Sequence, residues 1–210
     1  MRKYWILILL FVLGLALSGI NPHDYTTWIL EVFPGVIGFI ILLVTFKRFR
    51  FTDLTYILIL VHCYILFIGG HYTYAEVPFF DWIKEIFHQS RNNYDKLGHF
   101  AQGFIPAVIV REVFVRQNIV KKGGWLSFLT VCECMSISVF YEFLEWFVAI
   151  TSGQSAESFL GTQGYVWDTQ SDMLFAFIGA VCMILFLSKI HDKQMKNVAC
   201  NERYSERKIS

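Results

Sequence analysis

Long apolar runs alternate along the chain with short polar segments that carry Gly, Pro, Lys or Arg. Six runs approach the roughly 20 apolar residues that a helix needs to cross a bilayer. They cover residues 4–20, 28–46, 54–72, 94–115, 125–150 and 171–188. We predict an all-α fold, a polytopic membrane helical bundle with six transmembrane helices over residues 1–190. A polar and disordered cytoplasmic tail is predicted over residues 191–210.

The basic residues give this bundle an orientation. Of the 18 Lys and Arg residues, 15 fall at the N-terminus, after the second run, near or after the end of the fourth run, or after the sixth run and in the tail. Lys84, Arg91 and Lys96 fall on the other side. Cytoplasmic segments of membrane proteins are rich in Lys and Arg. Both termini are therefore predicted to be cytoplasmic, in a multi-pass membrane protein.

Two segments near the predicted membrane surfaces need separate interpretation. The first run follows Arg2 and Lys3 and ends near Ala16-Leu17-Ser18, so it is either a retained span or a cleaved signal peptide. Between the third and fourth runs, apolar residues after Pro78 recur with helical spacing. This spacing predicts a short amphipathic helix on the outer surface near residues 79–88.

The composition excludes several classes of protein. Hydrophobic residues make up 55% of the chain and charged residues 17%, unlike an ordinary soluble enzyme. The formal net charge of +1 gives no reason to expect a nucleic-acid partner. Membrane lipids are the expected surroundings. The five cysteines are odd in number and none lies in an outer loop, which argues against structural disulfides.

Ionisable residues inside the predicted spans gather at one depth, toward the outer leaflet. The fourth span begins with Asp95, His99 and Gln102 on one helix face, because their spacing is i, i+4 and i+7. The other contributors are His71 at the end of span three, Glu142 and Glu145 near the end of span five, and Asp168 and Asp172 at the start of span six. Intramembrane charges are costly, so their convergence predicts a functional site.

The donor types in this cluster suit a divalent metal, since imidazole and carboxylate groups bind Zn, Mn or Fe. We predict His99, Asp95, Glu142 and Asp172 as the metal ligands, with Glu142 and Asp95 as the catalytic residues. Further candidates are His71, Lys96, Gln102, Glu145 and Asp168. Other roles stay open, because Asp95 and Asp168 suit helix N-termini and Lys96 suits a partner for a carboxylate.

Three segments resemble the YjdF family of bacterial inner-membrane proteins. They are YDKLGHF at residues 94–100, YEFLEW at residues 141–146 and QGYVWDTQSDM at residues 163–173. The resemblance covers nearly the whole chain. It implies a membrane topology and an inner-membrane location but no reaction.

A more distant resemblance is to the VanZ-like proteins, which are linked to resistance to teicoplanin-type glycopeptides. The matching positions are Asp95, Lys96, His99 and Phe100, then Glu142 or Glu145, then Asp172 and Gly179. The arginine of that family before the last Asp has no counterpart at residues 166–170. The resemblance implies an envelope setting, with a lipid-linked or cell-wall precursor as ligand.

Three functions follow as hypotheses. The first is a metal-dependent hydrolase or transferase that acts on a lipid-linked envelope substrate at the outer leaflet. The second is a non-catalytic protein that binds a lipid or envelope precursor in the same cavity, under the polar outer loop of residues 151–167. An ion-coupled transporter ranks third, because the inner halves of the predicted spans are mostly apolar.

Overall fold

A computed structural model describes residues 2–152 and 163–207 of the protein. Every regular element in these ranges is helical. The α-helices are α1 (Arg2–Ser18), α2 (Tyr25–Thr45), α3 (Asp53–Tyr72), α4 (Pro78–Ile86), α5 (Tyr94–Arg116), α6 (Gly124–Ser152), α7 (Asp168–Cys182) and α8 (Ser188–Arg207). A 3₁₀ turn at Tyr74–Glu76 precedes α4, and a π-helical segment at Met183–Leu187 joins α7 to α8.

Four of these helices are long and apolar enough to cross a membrane. They are Tyr25–Thr45, Asp53–Tyr72, Gly124–Thr151 and the continuous helix Asp168–Val198. Many large apolar side chains on them are exposed, including Ile40, Val44, Phe147 and Phe186. Such a surface suits contact with lipid. The protein is therefore an all-helical, multi-pass membrane protein.

The other two predicted spans coincide with α1 and α5, which differ from the four in length or polarity. Helix α1 has 17 residues, or about 25 Å at 1.5 Å per residue. Helix α5 has 23 residues but carries several buried polar or charged side chains, among them Asp95, His99 and Glu112. Helix α5 can carry these polar side chains because α3, α6 and α7 pack around it.

Close packing between α5 and α7 depends on two glycines. A Cβ placed on Gly103 would collide with the backbone carbonyl of Ala176. A Cβ on Gly179 would collide with the backbone carbonyl of Phe100. The two helices therefore approach backbone to backbone, as small residues allow in membrane bundles. This contact holds the N-terminal ends of α5 and α7 side by side.

The starts of α2 and α3 are fixed by side-chain caps. The Asp24 carboxylate accepts a hydrogen bond from the Thr27 backbone N–H at 2.6 Å. This bond holds the pKa of Asp24, which lies outside the span, below its usual range. The Thr52 hydroxyl accepts one from the Thr55 backbone N–H at 3.3 Å. Such caps satisfy N–H groups that have no partner within the helix.

Helix α4 occupies the segment where an amphipathic helix was predicted. Pro78 stands in its first turn, where a missing backbone N–H costs nothing. Phe79, Trp82 and Ile86 are all exposed, and Phe79 stacks on Trp82 with ring centroids 5.8 Å apart. This aromatic surface suits the membrane interface.

The end of the chain differs from the sequence prediction. A disordered tail was predicted from residue 191, but the helix continues through the π segment and α8 to Arg207. His191 and Met195 are buried in its first turns. The helix was not predicted because residues 189–197 are polar, and apolar spacing alone does not reveal a polar helix anchored by buried contacts.

Candidate functional site

The candidate site lies where the first turns of α5 and α7 meet the later part of α6. Asp95, Lys96, His99 and Gln102 come from α5, Glu142 comes from α6, and Asp168 and Asp172 come from α7. All seven side chains are buried. Periodicity places the α5 residues on one face, and the glycine contact brings α7 against them.

One ammonium group holds three of the carboxylates together. The Lys96 Nζ atom donates to Asp172 Oδ1 at 2.7 Å and to Asp168 Oδ1 at 2.8 Å. It lies 3.3 Å from Asp95 Oδ2. Burial costs a charged group its hydration, so such an arrangement needs close pairing.

A second cation in the site, Arg91, was not predicted from the sequence. Its guanidinium donates to Asp168 Oδ1 at 2.6 Å and also to Asp95 Oδ2. Arg91 precedes α5, so the helical spacing of the α5 residues does not include it. The sequence signal that could have identified Arg91 is that it is one of three basic residues on the predicted outer side.

Asn92 fixes the segment that carries Arg91. Its side-chain amide donates to the Val77 carbonyl and to Asp81 Oδ1, each at 3.1 Å. Its backbone N–H and carbonyl bond to the Gln163 side chain at 3.0 and 2.8 Å. The start of α4 and the segment before α7 therefore hold Arg91 over the two Asp residues.

The structure brings two groups of three possible metal ligands together within the residues it describes. One group is His99, Glu142 and Asp172, and the other is Asp95, Asp168 and Asp172. In each group the ligand atoms lie within 4.8 Å of one another. The second group already has Lys96 and Arg91 as partners. The first group is the better candidate for a metal centre.

His99 and Glu142 are arranged differently from the paired aspartates. His99 Nδ1 lies 3.0 Å from Gln102 Oε1, and its Nε2 lies 3.7 Å from Asp172 Oδ1. The Gln102 contact fits an Nδ1–H tautomer, which leaves Nε2 able to bind a ligand. Glu142 is 7% exposed, and its Oε1 has no hydrogen-bond partner among the described residues.

Two predicted candidates lie apart from these groups. His71 Nδ1 lies 2.9 Å from the Ser18 carbonyl, and its ring packs edge-on against Tyr72. His71 thus contacts the end of α1. Glu145 lines a neighbouring cavity together with Glu31 and His62. The polar outer loop predicted to cover the site falls largely at residues 153–162, outside the described residues.

An open groove reaches the site from the side. It has a volume of about 770 Å³ and lies between the segment before α5, helix α5 and helix α7. Phe80, Leu97, Phe100 and Phe175 give it apolar walls, while Arg91 and Lys96 also line it. An apolar chain with an anionic group would complement this lining.

A second buried polar cluster lies at the opposite end of α5. Glu112 accepts hydrogen bonds from the Thr52 backbone N–H at 2.8 Å and from the Thr55 hydroxyl at 2.6 Å. Arg116 donates to it at 2.8 Å, and His191 Nε2 lies 3.0 Å away. Glu112 and His191 are fully buried. The predicted inner half of α5 therefore contains a buried carboxylate among its mostly apolar residues.

These features define a multi-pass helical membrane protein with a buried ionic cluster at one end of its bundle. The chain belongs to the family described as "Predicted membrane protein (DUF2238)", whose sequence model matches residues 3–193. It is 46% identical over 188 residues to the inner membrane protein YjdF of Escherichia coli (strain K12), covering 90% of each chain.

The match confirms the predicted YjdF resemblance and the inner-membrane location. No solved structure matches the chain. The more distant VanZ-like resemblance stays a prediction.

Proposed function

We propose that this protein is a divalent-metal-dependent enzyme that hydrolyses or transfers a lipid-linked group at the outer face of the inner membrane. The observation that carries the proposal is the approach of His99, Glu142 and Asp172, whose ligand atoms lie within 4.8 Å of one another. One imidazole and two carboxylates are a donor set that Zn, Mn and Fe accept. A metal bound there would activate water or polarise a phosphoryl oxygen.

The other buried residues have supporting roles in this proposal. Arg91 and Lys96 bind the phosphate of the substrate, since guanidinium and ammonium groups form strong charge-assisted hydrogen bonds with phosphate oxygens. Asp95 and Asp168 hold those two cations in place through the ion pairs described above. Asp95, predicted from sequence as a catalytic residue and metal ligand, thus becomes a positioning residue.

The groove beside the site supports a lipid-linked substrate. Its apolar side chains suit an acyl or polyprenyl chain, while Arg91 and Lys96 lie where the polar group would be held. The lipid chain would remain in the membrane while the head group reaches the metal centre. The partner is accordingly a membrane lipid or a lipid-linked envelope precursor.

Metal content of the purified protein tests the proposal. The variants His99→Ala, Glu142→Gln and Asp172→Asn remove one ligand each, and Glu133→Gln removes an exposed carboxylate on the same helix as Glu142. We expect near-stoichiometric metal by elemental mass spectrometry in the wild type and Glu133→Gln, and loss in the other three. Background metal in the folded wild type after loading with Zn²⁺, Mn²⁺ and Fe²⁺ would contradict the proposal.

A non-catalytic lipid-binding protein is the second candidate, and one observation favours it. The Asp172 oxygen nearest His99 is the same atom that accepts a hydrogen bond from Lys96 at 2.7 Å. A metal there would compete with a built-in ammonium group. In this alternative the folded protein retains a bound phospholipid without metal, and Lys96→Met abolishes that retention.

We further propose that the chain crosses the membrane six times with both termini in the cytoplasm. The Lys and Arg distribution supports this topology. In this arrangement α1 spans with Arg2 and Lys3 at the membrane surface, and α5 spans inside a ring of other helices. Both α1 and α5 must cross the membrane if all the basic segments are to lie on the same side of it.

Reporter fusions test this topology. Alkaline phosphatase is active outside the cytoplasm, so it should be active when fused after His23 or Ser90. Green fluorescent protein should fluoresce when fused after Arg48 or Lys122. Active phosphatase after Lys122 would contradict the six-span arrangement.

A further inference from the structure

A cavity of about 160 Å³ lies beside the candidate metal centre, between α2, α3, α5 and α6. Its ionisable lining groups include Glu31, His62, Glu145, Tyr74 and Tyr141. His99 and Asp95 line it as well, so the cavity borders the ion pairs that Asp95 forms with Arg91 and Lys96. The cavity contains residues from α2 and α3 that play no part in the function proposed above.

Glu31 gives the cavity a carboxyl oxygen with unmet hydrogen-bonding capacity. The residue is 4% exposed, and its Oε2 is buried with no hydrogen-bond partner among the described residues. The phenol groups of Tyr74 and Tyr141 lie beside the same carboxyl. A buried polar atom that lacks a partner is costly, which points to a bound donor.

The charges around the cavity are one-sided. Glu31, Asp95 and Glu145 contribute three carboxyl groups, and none of the described residues that line the cavity is Lys or Arg. Asp95 has Arg91 and Lys96 as partners, as Asp168 does beyond the cavity. Glu31 and Glu145 have no such cation among the described residues that line the cavity, so their charge is left for a cation from outside.

The geometry favours an organic cation over a metal ion. Neither Glu31 nor Glu145 belongs to a described group of three metal-ligand atoms within 4.8 Å of one another. The volume exceeds what a single ion or water occupies, since one water needs only about 10–15 Å³ of such space. Two tyrosine rings near carboxyl groups suit an ammonium group, which is attracted to aromatic faces.

We propose that this cavity binds a primary ammonium group, carried by an ethanolamine lipid head group or by a small soluble amine. The N–H groups donate to Glu31 and Glu145, and the tyrosine rings surround the attached carbons. The two glutamates are distinct from the proposed metal ligands, of which His99 lines the cavity and Glu142 and Asp172 are not among its described lining residues.

Calorimetric titration of ethanolamine into the full-length protein in an amine-free maltoside detergent tests the proposal. We expect saturable binding that Glu31→Gln and Glu145→Gln each weaken by about tenfold, the loss expected for a hydrogen bond to a charged group. Tetramethylammonium should bind more weakly than ethanolamine, because it has no N–H donor. Circular dichroism and gel filtration select variants that remain folded.

Two matched controls make the result specific. Glu133→Gln removes an exposed carboxylate of α6 and should bind ethanolamine like the wild type. Glu142→Gln should lose metal but keep ethanolamine binding, which separates failure of this site from failure of the metal centre. No ethanolamine binding by the wild type, or equal binding by Glu31→Gln, Glu145→Gln and the wild type, would overturn the proposal.

The source of the amine is distinguished in nanodiscs. Native mass spectrometry would compare lipid retained from phosphatidylethanolamine, phosphatidylcholine and phosphatidylglycerol mixtures. Selective retention of phosphatidylethanolamine that Glu31→Gln abolishes identifies the lipid head group as ligand. Ethanolamine binding without lipid selectivity supports the proposal with a soluble amine as ligand.

Discussion

Lys96 is the residue on which the buried ion pairs depend. Its ammonium group lies 2.7, 2.8 and 3.3 Å from carboxylate oxygens of Asp172, Asp168 and Asp95. Arg91 neutralises part of the same negative charge. Removing one partner of a buried ion pair leaves the other charge without compensation, which costs more than the pair itself contributes.

We therefore predict that Lys96→Met lowers the free energy of unfolding by about 3–5 kcal/mol. Thermal unfolding in detergent measures the change. Adding Asp172→Asn should restore part of the loss, because it removes a carboxylate that Lys96 had balanced. The control is Lys84→Met, since Lys84 pairs only at the surface, 3.3 Å from Asp81. Equal stability of Lys96→Met and Lys84→Met would contradict the account.

At the scale of the elements, the contact between α5 and α7 positions the site. Asp95, Lys96 and His99 lie on α5, and Asp168 and Asp172 lie one helix away on α7. Gly103 and Gly179 let the two backbones approach each other. Any residue with a Cβ at either position must push the helices apart and so separate the two halves of the site.

Gly103→Ala should consequently destabilise the protein by about 1–3 kcal/mol or more, the range seen for overpacked cores. It should also reduce metal content, because the ligands come from both sides of the widened contact. Gly38→Ala is the matched control, since a Cβ on Gly38 meets nothing within 4 Å. In α2 that substitution should be neutral or slightly stabilising, because alanine favours helices. Normal stability and metal content in Gly103→Ala would contradict this role for the glycine contact.

At the scale of the whole molecule, buried polar clusters fasten both ends of the bundle around α5. The Lys96 network joins α5 to α7, and Glu112 joins α5 to the start of α3 and to α8. Glu112 accepts bonds from Thr52, Thr55 and Arg116 and contacts His191. The apolar cluster of Ala107, Val108 and Met183 packs between them.

Glu112→Ala should lower the free energy of unfolding by about 3–5 kcal/mol, because it leaves buried donors without an acceptor. Metal content should be retained in the folded fraction, since the substitution lies at the far end of α5. Denaturation in detergent and elemental analysis check the two parts. Glu85→Ala, an exposed residue of α4, is the control and should change neither quantity. A drop in metal content without a drop in stability would contradict a purely structural role for Glu112.

The positions of the helices could be predicted from the sequence better than the residues that contact one another in the site and the cavity beside it. Apolar runs locate α2, α3 and α6 because lipid-facing residues dominate them, and i, i+4 spacing places Asp95 and His99 on one face. The same reasoning missed Arg91 and Glu31. Arg91 lies in a nonhelical segment that Asn92 folds back over α7, and Glu31 is a single charge in an apolar run.

His71 is a predicted candidate that lies apart from the cluster. Its place at the predicted outer end of α3 made it a candidate, yet α3 lies beside α1 at that point, and His71 contacts Ser18. Depth in the membrane can be estimated from topology, but the side of the helix that meets the site depends on packing. Periodicity within one helix does not determine that packing.

The proposed function requires that His99, Glu142 and Asp172 hold a divalent metal between α5, α6 and α7. Anomalous diffraction from crystals of the full-length protein grown with Mn²⁺ or Zn²⁺ would locate such a metal. We predict an anomalous peak between His99 Nε2 and the carboxylates of Glu142 and Asp172, absent from Glu142→Gln crystals. A wild-type map without a peak there, or with its peak on other residues, would contradict the proposed metal centre.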